Sequence, residues 1–149
     1  MVRDNDSYED MAKFLETLLN NNKVTLGLAS VFYGDQNNIP HTPTACIDPG
    51  GKRRELEGAP RRTKTTLYNY IIVYHNKLVD VSTLQDDADN RAEAIEALIH
   101  QDPYMSDSVV HSMVTSIDSG YLERRNAIYR ASRLTVEASV WKQLPSQFS

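Results

Sequence analysis

The chain has 149 residues, a formal net charge of -4 and a pI near 5.5, with 24% charged residues. That length fits one domain able to bury a real core, and the acidic balance argues against a general nucleic-acid binder. One cysteine, Cys46, excludes an intrachain disulfide and a multi-cysteine metal cluster.

No apolar run approaches the ~20 residues that span a bilayer. Met1 to Asp10 is acidic and lacks the apolar region of a signal peptide. The expectation is a soluble protein made in a cytoplasm.

Ser7 to Asn20 reads as a helix. Ser7 suits the N-cap, Glu9 and Asp10 suit the first turn, and Met11, Phe14, Leu15, Leu18 and Leu19 form one apolar stripe. Asn20, Asn21 and Asn22 stop it. Val24 to Tyr33 is mixed, with Val31, Phe32 and Tyr33 extended and Gly34-Asp35 marking a turn.

Residues 34 to 43 form a polar loop carrying Pro40 and Pro43. Thr44 to Asp48 is a short strand with Cys46 in an apolar run, where a buried, inert thiol is expected.

Pro49 to Lys64 holds Pro49, Gly50, Gly51, Gly58 and Pro60, which predicts an irregular, extended basic loop. Lys52, Arg53, Arg54, Arg61, Arg62 and Lys64 place six of the 16 basic residues here, against only Glu55 and Glu57. The rest of the chain is therefore strongly acidic. The segment lacks the Gly-Lys-Ser/Thr ending of a phosphate-binding loop. It also has no aromatic residue on which bases could stack. A connection this long is either solvated or functional.

Thr66 to His75 reads as a central strand. Leu67, Asn69, Ile71 and Val73 share one face, and Tyr68, Tyr70, Ile72 and Tyr74 the other. Both faces are largely apolar, as in a strand buried on both sides. The tyrosine face reads as a second core layer, as a solvent-lapped aromatic stripe, or as a subunit contact. Thr83 to His100 reads as a helix with Ser82 and Gln85 at capping-box spacing. Leu84, Ala88, Ala92, Ile95, Leu98 and Ile99 line its apolar stripe, and His100 and Pro103 close it.

Ser108 to Ser119 reads as a strand interrupted by Gly120. Glu123 to Asn126 is a polar turn and Ala127 to Trp141 a second long strand, which together make an antiparallel hairpin. Residues 142–149 read as a flexible tail. The fold class predicted is α+β in one domain spanning 1–149. Its sheet is mostly antiparallel, with four or five strands, packed by two helices and carrying the long basic hairpin loop at 49–64.

Chemistry can be tested by elimination. His41, His75, His100 and His111 show no metal-ligand spacing, no G-x-S-x-G elbow occurs, and Cys46 has no evident histidine partner. The expectation is a protein that is not an enzyme and needs no metal or cofactor.

The order helix, strand, hairpin loop, strand, helix, strand, strand resembles the tail terminator (tail-completion) proteins of long-tailed bacteriophages. The phrases Val31 to Gln36, Glu57 to Arg62, Tyr70 to His75 and His111 to Tyr121 add to the resemblance, which covers roughly Ser7 to Val140.

The resemblance implies a homohexameric ring at the head-tail junction of a virion, assembled in the host cytoplasm. Such a ring caps the tail tube protein, stops its polymerisation and joins head connector or neck proteins. A contractile tail would add a sheath contact. Viral DNA would pass through the lumen without sequence recognition, and no membrane is involved.

A ring needs two complementary patches per subunit. Lys52, Arg53, Arg54, Arg61, Arg62 and Lys64 form one candidate, contacting a neighbouring subunit or the tube. Asp86, Asp87, Asp89, Glu93 and Glu96 on the second helix of another copy form the other. The alternatives are a head-closure or neck connector, and a small nucleic-acid-binding module that uses the basic loop.

Overall fold

The structure, a computed structural model, describes residues 8–56, 62–77, 85–105 and 111–143. In chain order it contains α1 (Tyr8–Asn21), α2 (Lys23–Leu26), β1 (Ser30–Tyr33), β2 (Thr44–Leu56), β3 (Arg62–Lys77), α3 (Gln85–His100), β4 (His111–Arg124) and β5 (Ala127–Gln143). The fold is α+β: a five-stranded mixed sheet of order β1-β2-β3-β5-β4 with three helices.

The central strand explains the layering. On one face of β3, Leu67, Ile71 and Val73 are buried against Met11, Leu15 and Leu19 of α1 and Ala92, Ile95 and Ile99 of α3. α1 packs over β1, β2 and β3, and α3 over β4 and β5. On the opposite face, Ile72 and Tyr74 enter a smaller core with Cys46, Tyr129, Ala131 and Ile39. The tyrosine face is therefore divided. Tyr74 is a core residue, while Tyr68 and Tyr70 are half-buried.

Several elements differ from the sequence expectation, each for a physical reason. β1 pairs with β2 in parallel, Val31 opposite Ala45, so the chain must cross a face of the sheet between them. Residues 34–43 make that crossing and bury Ile39 in the second core.

α2 is a single turn, too short to show a period, and Gly27 ends it in the left-handed region at φ 71°. Gly120 does not interrupt β4 but pairs opposite Ala131. A bulge between Val114 and Ser116 flips the strand's inward set from Val114 to Ile117. The turn is two residues, Arg125 and Asn126, both at positive φ, the twist that a two-residue hairpin favours.

The largest difference is in the expected basic loop. Residues 49–56 belong to β2 and Arg62 to Lys64 to β3. Proline and glycine are absorbed by a register shift between Pro49 and Gly51, where β2 bulges; Gly51 takes φ 97°. Gly50 is required for a different reason: a Cβ there would sit 2.6 Å from the Tyr70 ring. β5 runs beside this hairpin as far as Gln143 opposite Arg62. The arm is thus three-stranded, and Lys142 and Gln143 are strand, not tail. Residues 57–61, Ser82, Leu84 and the tail from 144 lie outside the described residues.

Ile71 and Ile95 are both fully buried. Ile71→Ala or Ile95→Ala should each destabilise the fold by about 2–5 kcal/mol. Equilibrium denaturation measures this, and an unchanged midpoint would refute the burial.

Candidate functional site

The helices cover one face of the sheet completely enough to close the main core. Among the described residues the other face is covered only at one end, by the 34–43 crossing. That crossing is held by one carboxylate. Asp35 Oδ1 accepts the Tyr74 hydroxyl at 2.6 Å, and Asp35 Oδ2 accepts Arg124 Nη2 at 2.6 Å. The Arg124 guanidinium also lies 5.7 Å from the Tyr74 ring centroid.

Burial and the Asp35 hydrogen bond push the Tyr74 hydroxyl far above its usual range. The same hydrogen bond strengthens the Arg124 cation. Beneath this node, Cys46 is fully buried and burial pushes its thiol up to about 11. It is the buried thiol that its apolar surroundings suggested.

Beyond the crossing, the open face carries a cleft of about 430 Å³ between β2, β3, β5 and β4. Ile72 and Ala131 form its floor, and Asp48, Asp118, Arg124 and Arg133 line it. Gly120 contributes no side chain at the β4 side. Arg133 stacks 4.0 Å from the Tyr70 ring centroid, and the space at Gly50 lets that ring lie across β2.

One Ser–His contact needs a chemical test. His75 Nε2 lies 2.8 Å from Ser132 Oγ, and Arg91 Nη1 lies 3.0 Å from His75 Nδ1. Arginine can only donate, so Nδ1 accepts and Nε2 carries the proton towards Ser132. That tautomer cannot take a proton from the serine, the reverse of what a nucleophilic dyad requires. Burial, then the Arg91 charge, lower the His75 pKa to about 4. The group is a buried neutral tie between β3, β5 and α3, and Arg91 extends it to the Leu26 carbonyl.

His100 has a comparable role. Its Nε2 accepts the Val114 N–H at 3.0 Å and ties the end of α3 to β4. Among the described residues no group of three His, Cys, Asp or Glu side chains could hold a metal ion, and no helix is long and apolar enough to cross a membrane.

The predicted interaction residues divide as follows. Lys52, Arg53 and Arg54 are exposed on β2, and Lys64 is half-buried on β3 opposite Glu55. Strand alternation sends Arg53 to the open face and Lys52 and Arg54 to the helix-covered face, because they pair with Thr66, Leu67 and Thr65 respectively. Arg53 Nε lies 3.5 Å from Glu55, an exposed pair. On α3, Glu93 is exposed and Asp89 and Glu96 are half-buried. Arg61 and the side chains of Arg62, Asp86 and Asp87 lie outside the described residues.

Sequence reasoning missed Asp35 and Arg124, because charged residues in turns and at strand ends carry no period, and Arg133, because alternation in β5 marks only its apolar, helix-covered side. No protein-family model matches the chain, and no curated protein matches it.

Two outcomes follow. Asp35→Ala leaves a buried hydroxyl and a guanidinium without their acceptor and should cost about 1–3 kcal/mol, read as a lower denaturation midpoint. His75 should make stability pH-dependent. The unfolded imidazole protonates near 6.5 and the folded one only near 4. Its contribution is therefore complete above pH 6.5 and lost as pH falls towards 4, on the order of 3 kcal/mol in all. His75→Gln should be less stable at pH 7 and show a shallower loss over that window; an unchanged slope would remove His75 as the cause.

Proposed function

We propose that this chain is a structural, ring-forming virion protein that resembles phage tail terminators. In this reading it assembles as a homohexamer that caps the tail tube, halts its polymerisation and meets the head connector. The observation that carries the reading is the arm. Lys52, Arg53 and Arg54 stand exposed on a strand that is braced by β3 and β5, in an otherwise acidic chain.

A braced strand fixes the backbone from which its side chains project, so docking has only the side chains left to order, which favours a protein contact. Arg53 and Arg54 offer planar forks suited to carboxylates. Acidic partners are available on α3 of another copy, with Glu93 exposed and Asp89 and Glu96 half-buried. The unlike placement of the two charged patches, on β2 and on α3, fits a head-to-tail contact that can close into a ring.

The test is the variant with Arg53, Arg54, Arg61 and Arg62 changed to Ser. The isolated subunit should melt near the wild-type temperature, since exposed ion pairs contribute about 0–1 kcal/mol. Ring formation, read by mass in solution, and tube capping, read by tail length, should be lost. Normal rings with altered DNA passage would assign the arm to the lumen. Normal rings, tails and DNA passage together would make the arm a solvated surface and sink this reading.

A further inference from the structure

The two ends of the sheet are unequal to their neighbours in a complementary way. β4 is an outermost strand of 14 residues. Natural sheets shield such edges with bulges, prolines, lysines or covering groups. Among the described residues the shielding is confined to one half: the bulge between Val114 and Ser116, and the His100 ring that accepts the Val114 N–H. From Ile117 to Arg124 the pairing with β5 runs in unbroken register, with no proline and no lysine. Asp118, Ser119, Gly120 and Tyr121 are exposed there, and Tyr121 retains 59% of its accessible surface.

The opposite side of the sheet has its own open edge. β1 pairs with β2 only from Thr44 to Ile47. Among the described residues no strand lies outside β2 from Gly51 to Leu56. The two open runs are of similar length and opposite net charge: Lys52, Arg53 and Arg54 outweigh Glu55 on one, and Asp118 and Glu123 outweigh Arg124, itself paired with Asp35, on the other.

We propose that the outer edge of β4 pairs with the outer edge of the β2 arm of a second copy, so that the sheet continues from subunit to subunit. The proposal rests on the self-assembly reading above and names the surface that receives the arm. Strand addition draws affinity from main-chain hydrogen bonds and specificity from side-chain pockets.

Both are provided. Side-chain parity places Arg53 of the incoming arm on the open face, the face of Asp118 and of the cleft, whose mouth Gly120 leaves clear. Lys52 and Arg54 fall on the other face, where α3 with Glu93 and Glu96 packs over β4. One docking geometry therefore offers acidic partners to both faces of the arm. Because the donor and acceptor edges differ, the contact is head-to-tail and can close a ring.

The test uses the full chain in a Cys46→Ala background. One set of chains carries a cysteine on the open face of the arm, Arg53→Cys or Glu55→Cys. The other carries one on the open face of β4, Asp118→Cys or Leu122→Cys. Mixed and oxidised, at least one same-face combination should give an intermolecular disulfide. Arg54→Cys, on the opposite face, should not link to Asp118→Cys.

A charge-reversal pair gives a second readout. Asp118→Lys with Glu123→Lys should weaken assembly at least tenfold, and adding Arg53→Glu with Arg54→Glu in the same chain should restore it. Rings that form without any same-face disulfide above the Arg54→Cys control would overturn the edge pairing and leave the ring reading intact. So would rings indifferent to charge reversal. A chain that stays monomeric with and without tubes would overturn both.

Discussion

The two-sided burial of β3 is the constraint on which the structure depends. A strand with Leu67, Ile71 and Val73 on one face and Ile72 and Tyr74 on the other cannot leave either face in water. Helices settle the first face, because α1 and α3 each present an apolar stripe. Among the described residues no helix packs on the second face. It is closed by the crossing between two parallel strands, and that crossing is a polar segment with one buried apolar side chain, Ile39. Such a segment needs polar anchoring, which Asp35 supplies by accepting from Tyr74 and Arg124. The crossing is short, so the cover ends near Ile72, and the open face with its cleft begins there.

The buried polar ties follow from the same layering. His75 sits just beyond the last core pair, Val73 opposite Ser132, where β3 bulges before Asn76. Strand alternation from Ile71 and Val73 already directs the imidazole to the helix side, and Arg91 of α3 meets it there. A protonated imidazole beside that guanidinium would place two cations together out of water. The neutral tautomer avoids this, and the same constraint removes its value as a base.

Much of the fold was legible in the sequence because burial imposes periods. The alternation in β3 and in Leu134, Val136, Ala138 and Val140 of β5, and the stripes of α1 and α3, all mark buried faces. Three features were not legible. α2 is shorter than any readable period. The parallel pairing of β1 depends on a crossing held by isolated side chains, Asp35 with Tyr74 and Arg124 and Ile39 in the second core, which leave no period in the sequence.

The arm was misread because Pro49, Gly50 and Gly51 are loop residues by local preference. Pairing with β3 and β5 overrides that preference, and the bulge takes up the residue that does not fit. Of the candidate site, the basic cluster was visible as composition. Its division between two faces was not, since the parity of β2 changes at the bulge.

That division changes what the cluster can do. As a loop, the basic residues would form one diffuse positive patch, whose attraction to any anion is screened within about 10 Å at 0.1 M salt. As a strand, successive side chains are separated by the thickness of the sheet, and each face meets its own neighbours. Arg53 shares the open face with Glu55 and Lys64. Lys52 and Arg54 share theirs with the helices.

A polyanion tracked by a groove has little use for alternating placement, because its phosphates approach from one side. A protein edge uses both sides at once. The alternation therefore suits the edge-to-edge assembly proposed above better than a groove that tracks phosphates. In that proposed assembly the border strand supplies the open-face contacts and the α3 helix packed over it supplies those on the other face.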